Sequence, residues 1–148
     1  PNDFELLVLV FLYLSLYLGE LQNFYNLFAW WDLFLHSFSG VILGAVGLAL
    51  VHTLNEHQVS IKLSPGFVAM FAVTFAISLG VAWEIFEFSM DSFFGLNMQK
   101  SGVPDTMWDL IVDAIGAINV SLLGYWYLKS DPKFIEKLEN RLLRSRRS

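Results

Sequence analysis

The sequence predicts an all-α fold, a polytopic bundle of membrane helices. Three observations carry that prediction. Hydrophobic residues make up 55% of the 148 and charged residues only 16%, against about 25% charged in an ordinary soluble domain, and the mean hydropathy is +0.54. The apolar residues come in long runs, without the period-two alternation of a β-barrel. The charge is split along the chain: residues 129–148 hold seven of the nine Lys and Arg, whereas residues 1–128 hold Lys62 and Lys100 against eleven acids. The same composition excludes a disordered tail, a basic nucleic-acid module and, with no Cys, a disulfide-stapled secreted domain.

Four runs approach the ~20 apolar residues that a helix needs to cross the hydrocarbon core. Residues 4–19 are apolar apart from Glu5 and Ser15, and slightly short. The chain opens on Pro1, so an earlier N-terminal segment is expected. Residues 34–54 are interrupted only by His36, His52 and small polar side chains, residues 67–88 by Glu84 and Glu87 near their end, and residues 107–128 by Asp109, Asp113, Asn119 and Ser121. The domain reading is therefore a four-helix membrane unit over 1–128 and a basic tail over 129–148.

The connections carry boundary signals. Residues 20–31 are polar and aromatic, with Trp30 and Trp31 suited to an interfacial belt. Residues 55–66 form a polar turn ending in Pro65-Gly66, and residues 92–104 end in Ser-Gly-Val-Pro, with Asp105 as the expected N-cap of the last helix. In the tail, Phe134, Leu138, Leu142 and Leu143 recur at helical spacing, which predicts a short amphipathic surface helix. The Lys and Arg excess assigns the tail to the cytoplasm and the chain to an inner or plasma membrane. Four spans would also make the N-terminus cytoplasmic, with loops 20–31 and 92–104 outside. Helix 2 carries Gly40-x-x-x-Gly44, a close-approach motif read first as packing within the chain and second as a dimer contact.

The acids gather at one depth. Asp32 and His36 are four apart and share a helix face. Glu84, Glu87 and Asp91 form a second stripe, and Asp105, Asp109 and Asp113 a third. Under this topology all three stripes fall at the non-cytoplasmic end, reaching about 10–12 Å inward at ~1.5 Å per residue. No Lys or Arg lies within them, and Lys100 is the nearby cation. Unpaired charges in hydrocarbon cost several kcal/mol each. Some acids must therefore be protonated, lie at the wet interface or bind a cation. Asp, Glu and one His suit Mg²⁺, Mn²⁺, Ca²⁺ or Zn²⁺. The expected ligands are Glu84, Glu87, Asp109, Asp113 and His36, with Asp32, Asp91, Gln99 and Asp105 supporting. Asp32, Asp91 and Asp105 also fit capping or solvation, and His36 also fits hydrogen-bonded packing. His52 and His57 sit at the other end and read as structural, and Trp83 and Trp108 as packing or interface anchors.

The strings WDLFLHSFSG, WEIFEFSMD, FFGLNMQKSG and DTMWDLIVDAIGA resemble the YjdF-like family of inner-membrane proteins over residues 30–128. The resemblance implies a shared membrane fold, a longer N-terminus and importance of these motif positions; it supplies no substrate. More distantly, Asp-x3-His on one helix with an acid-rich later helix is similar to VanZ-like proteins, which usually carry Asp-Lys where this chain has Trp-Asp-Leu. Asp105-x3-Asp109-x3-Asp113 matches half of the CDP-alcohol phosphotransferase signature, but the other half is missing. The chain has no His-Glu-x2-His, no Gly-x-Ser-x-Gly and no basic phosphate motif.

Three functions remain open: binding of a divalent cation, with metal-dependent hydrolysis or transfer at a lipid headgroup as its enzymatic form; proton or cation transport; and an accessory role among other subunits of a membrane complex. The expected partners are the lipid bilayer and such subunits, and not nucleic acid.

Overall fold

The computed structural model describes residues 3–56, 63–100 and 102–130. The expected amphipathic tail helix and His57 lie outside them. Among the described residues five α-helices follow one another: α1 (Asp3–Leu12), continued by a π-helix (Tyr13–Leu21), α2 (Phe24–Leu27), α3 (Trp31–Glu56), α4 (Pro65–Phe94) and α5 (Val103–Ser130).

Among the described residues three helices are long and apolar enough to cross a membrane: Trp31–Leu54, Pro65–Phe94 and Val103–Ser130. The four-span expectation is corrected here. The first apolar run is α-helical for only 10 residues, about 15 Å against a hydrocarbon core of ~30 Å. It then winds as a π-helix for nine residues, a form that usually lasts a single turn. This N-terminal segment lies beside the site end of α3: Phe11 stacks on Phe38 with ring centroids 6.3 Å apart. The inference that both chain ends share one side rested on four spans and falls with it.

The three long helices overrun their expected limits because polar residues at their ends do not stop a helix by themselves. α4 starts where Ser64 accepts from the Phe67 amide and Pro65 takes the first turn, where its missing N–H is no loss. It stops at Gly95, whose φ of +67° is the left-handed cap. Asp105 is not the N-cap of α5: the helix begins at Val103 and Asp105 sits inside its first turn. Trp30 is exposed as an interface anchor would be, but Trp31 is buried, held edge-on against Phe24.

α3, α4 and α5 pack through small residues. A Cβ on Gly40 would run into the Asp113 backbone, Gly44 faces Ala117 and Val120, and Gly47 faces Ala72. The Gly40-x-x-x-Gly44 motif is thus used between α3 and α5 of one chain, where close backbone approach yields dispersion contacts that lipid cannot better. Toward the other end Leu48, Val51, Val68, Ala72 and Leu128 form an apolar core. The start of α3, the end of α4 and the start of α5 share the opposite end, and the acids lie there.

Candidate functional site

Helical periodicity places the site. Asp32 and His36 stand one turn apart on α3, Glu84 lies on α4, and Asp109 and Asp113 are one turn apart on α5. His36 is 8% exposed, Glu84 4%, and Asp109 and Asp113 2% each. Their burial is the unusual fact, since acids are rarely covered unless paired.

Asp113 holds the imidazole. His36 Nδ1 lies 3.2 Å from Asp113 Oδ2, and Ser39 Oγ donates to Asp113 Oδ1 at 2.7 Å. Against an acceptor-only carboxylate, Nδ1 must be the donor. In the neutral imidazole Nε2 then carries the lone pair, 3.9 Å from both Asp32 Oδ1 and Glu84 Oε1. A carboxylate that fixes the tautomer of a histidine in this way is the usual outer support of a metal-binding imidazole. Gly80 makes the arrangement possible: a Cβ there would stand 2.8 Å from Asp113 Oδ2.

Glu84 differs from every other acid of the cluster. Both of its carboxylate oxygens are buried, and neither has a hydrogen-bond partner. Enclosed without such a bond, a carboxylate is costly while ionised, and either a proton or a cation relieves it; His36 Nε2 is 3.9 Å from its Oε1. His36, Glu84 and Asp109 each offer one ligand atom, and these atoms lie within 4.8 Å of one another. Two ligands on opposite sides of an ion stand about 4–5 Å apart at metal–ligand distances of ~2.0–2.6 Å. The trio therefore has the span of a cation site. Asp32, Asp105 and Asp109 form a second trio with the same spacing.

The other expected site residues serve the surroundings. Glu87 is half-buried and accepts from Trp83 Nε1 at 2.9 Å, and it belongs to neither trio. Asp91 accepts from the amides of Met98 and Gln99 at 2.7 and 2.9 Å, stapling the loop after α4. Gln99 donates to Thr106 at 2.7 Å. Asp105 accepts from the Lys100 amide at 3.0 Å, and Lys100 Nζ lies 3.7 Å from Asp32 Oδ2 and 4.1 Å from the Tyr25 ring centre. Burial pushes the Tyr25 hydroxyl pKa up, and the charges of Asp32, Glu20 and Glu87 add to it. Sequence reasoning passed over Ser39 and Gly80. Ser39 is three residues from His36 and shares its face, so the spacing could have found it. Gly80 gave no signal of its own.

A cavity of about 790 Å³ opens between the N-terminal segment, α3, α4 and the loop after α4. Its lining combines apolar Leu7, Phe11, Leu43 and Leu79 with polar Asp32, His36, Asp113 and Lys100.

The family model described as predicted membrane protein (DUF2238) matches residues 1–130, and the chain belongs to that family. It is a multi-pass membrane protein carrying a buried His, Asp and Glu cluster. A Thermotoga maritima protein described as uncharacterized is 29% identical over 131 residues, covering 84% of this chain. The match spans 63% of that relative's length. No solved structure matches.

Proposed function

We propose that this member of the DUF2238 family binds a divalent cation through His36, Glu84 and Asp109 at the end of the bundle where α3 and α5 begin. The observation that supports it is the Glu84 carboxylate, fully enclosed without a hydrogen-bond partner and within ligand distance of an oriented imidazole and a second buried acid. One nitrogen and two oxygens suit Mn²⁺ or Zn²⁺ better than Ca²⁺, which prefers an all-oxygen shell. Asp113 acts as the positioning partner of His36, and Glu87, Asp91 and Gln99 keep the helix ends and the loop in place. The Lys and Arg excess of residues 129–148 supports a cytoplasmic tail and hence a site on the outer face of an inner or plasma membrane.

A second reading, metal-dependent hydrolysis or transfer at a lipid headgroup, is favoured by the cavity. Its lining combines apolar side chains with His36 and Asp113, so it offers contacts both to an acyl chain and to a headgroup. A bound ion would act there as a Lewis acid toward an anionic group. The YjdF-like and VanZ-like resemblances add no substrate to this reading. Transport has less support: among the described residues, the buried polar side chains below the site are Ser121 and His52, and glycine packing closes the space between the helices.

The test is elemental analysis of the purified full chain. Wild type should retain Mn or Zn through gel filtration and lose it to chelator, and Glu84→Gln should carry none. Wild-type protein that takes up no divalent ion from any loading buffer would sink the proposal.

A further inference from the structure

We propose that the cavity between the N-terminal segment, α3 and α4 binds one zwitterionic phospholipid, with an alkyl chain against Leu7, Phe11, Leu43 and Leu79 and the ammonium of its headgroup on Glu87 and Trp83. The proposal uses none of the three ion ligands, so it stands apart from the cation reading, and it gives the lipid-headgroup reading a chemical class. The cavity measures about 790 Å³, inside the ~300–1,000 Å³ of ordinary small-molecule sites. Apolar walls offer water few partners, and an alkyl chain is what a bilayer supplies. On the N-terminal segment Leu7 and Phe11 line the cavity, while Leu6, Leu9 and Val10 are exposed. Both faces of this wall therefore suit hydrocarbon.

The polar lining selects the headgroup by charge. Among the described residues, the carboxylates of Glu20, Asp32, Glu87 and Asp113 line the cavity together with Lys100 and His36. His36 engages Asp113 at 3.2 Å, and Lys100 lies 3.7 Å from Asp32. Glu87 engages a neutral group, accepting from the Trp83 indole at 2.9 Å, and Glu20 is exposed. An anionic headgroup would therefore meet more acid than base. An ammonium meets a carboxylate and an indole one turn apart on α4, and both attract it, the first by charge and the second through its ring face. Lys100, whose ammonium lies 4.1 Å from the Tyr25 ring centre, is left to the phosphate of the same headgroup. Helical rise separates head from chain: along α4, Leu79 lies ~12 Å farther from the helix end than Glu87.

The experiment titrates delipidated full chain in detergent, with chelator present, against phosphatidylethanolamine or phosphatidylglycerol of identical acyl chains. Native mass spectrometry reads lipids per chain, and thermal unfolding reads stabilisation. Wild type should take up one phosphatidylethanolamine and bind phosphatidylglycerol roughly tenfold more weakly. Glu87→Gln should erase that preference and still bind lipid. Leu43→Trp and Leu79→Trp, which fill the cavity from two different helices, should lose lipid of either headgroup. Equal affinity for the two headgroups in wild type, or a preference for phosphatidylglycerol, overturns the ammonium seat. Lipid retained by both tryptophan variants overturns the cavity as the place of the chain. Lipid binding that appears only with Mn²⁺ and vanishes with chelator overturns this proposal and leaves the cation reading standing. Phosphatidylethanolamine bound by a chain that takes up no metal supports it and overturns the cation reading alone.

Discussion

Asp109→Asn separates a cation site from a mere polar staple, because the two assign opposite signs to the loss of one charge. Asp109 is 2% exposed and belongs to both trios. Asparagine keeps its shape and removes its charge. Without an ion, the neighbouring Glu84, Asp105 and Asp32 then repel less, and chelated protein should melt near wild type. With an ion present the result reverses. Free ion at a hundredfold excess over Kd stabilises the wild type by about 2.7 kcal/mol. Outer-shell partners of a metal are worth 10–100-fold in affinity, so loss of a direct ligand should raise Kd by at least ~100-fold. The same ion concentration then equals Kd, and the gain shrinks to about 0.4 kcal/mol. Asp91→Asn is the control. Its carboxylate accepts two loop amides and is in neither trio. It should cost about 1–3 kcal/mol with chelator and keep the full ion-dependent gain. Thermal unfolding in detergent, with chelator and with Mn²⁺ or Zn²⁺, gives all six values. An equal ion-dependent gain in wild type and Asp109→Asn refutes the assignment of Asp109, and no gain in wild type refutes the cation.

Four further outcomes are expected. Gly80→Ala should turn the Asp113 carboxylate away from His36, because its Cβ would stand 2.8 Å from Oδ2; the lost buried hydrogen bonds outweigh the helix-propensity gain, for a net loss of about 1–2 kcal/mol by thermal melt. Gly66→Ala, which meets nothing within 4 Å, should instead be neutral or stabilise by up to ~1 kcal/mol. Cysteine labelling should place Ser92→Cys and Asn140→Cys on opposite membrane faces, and labelling from one side contradicts the tail assignment. The Tyr25 hydroxyl has a raised pKa in the folded chain, so the unfolded chain loses that proton first as the pH climbs past ~10; this group's contribution to stability should be constant below that pH and fall above it, and an ultraviolet titration in which all five tyrosines ionise together near pH 10 contradicts the burial argument.

What was legible in the sequence follows from what helical periodicity can encode. Steps of three and four residues put Asp32 with His36 and Asp105 with Asp109, and the order of the helices put those faces at one end of the bundle. Periodicity resolves a face only coarsely. Glu84 and Glu87 are one step of three apart, yet Glu84 is enclosed while Glu87 reaches Trp83. The rotation between them is small, and neighbouring helices decide which one is covered. The first apolar run failed for a different reason. Hydropathy counts side chains, whereas the change from α to π winding at Tyr13 is a change of backbone hydrogen bonding within equally apolar residues.

The role of Asp113 was the least legible, and it shows where such a site is specified. From the sequence Asp113 is one more acid in a stripe and ranks equally with Asp109 as a ligand. Its role depends on three residues of two other helices: Ser39 and His36, which it engages, and Gly80, whose missing side chain leaves room for its carboxylate. Gly40 adds the fourth condition by letting α3 lie against the Asp113 backbone. A pattern along one helix cannot contain a vacancy on another. The glycines that read as generic close-packing residues therefore carry site information: they bring an acid within hydrogen-bonding distance of the imidazole and leave Nε2 facing Glu84 and Asp32. A family member with His36 and the acids in place but a bulkier residue at position 80 would keep the charge of the site and lose the orientation of its imidazole.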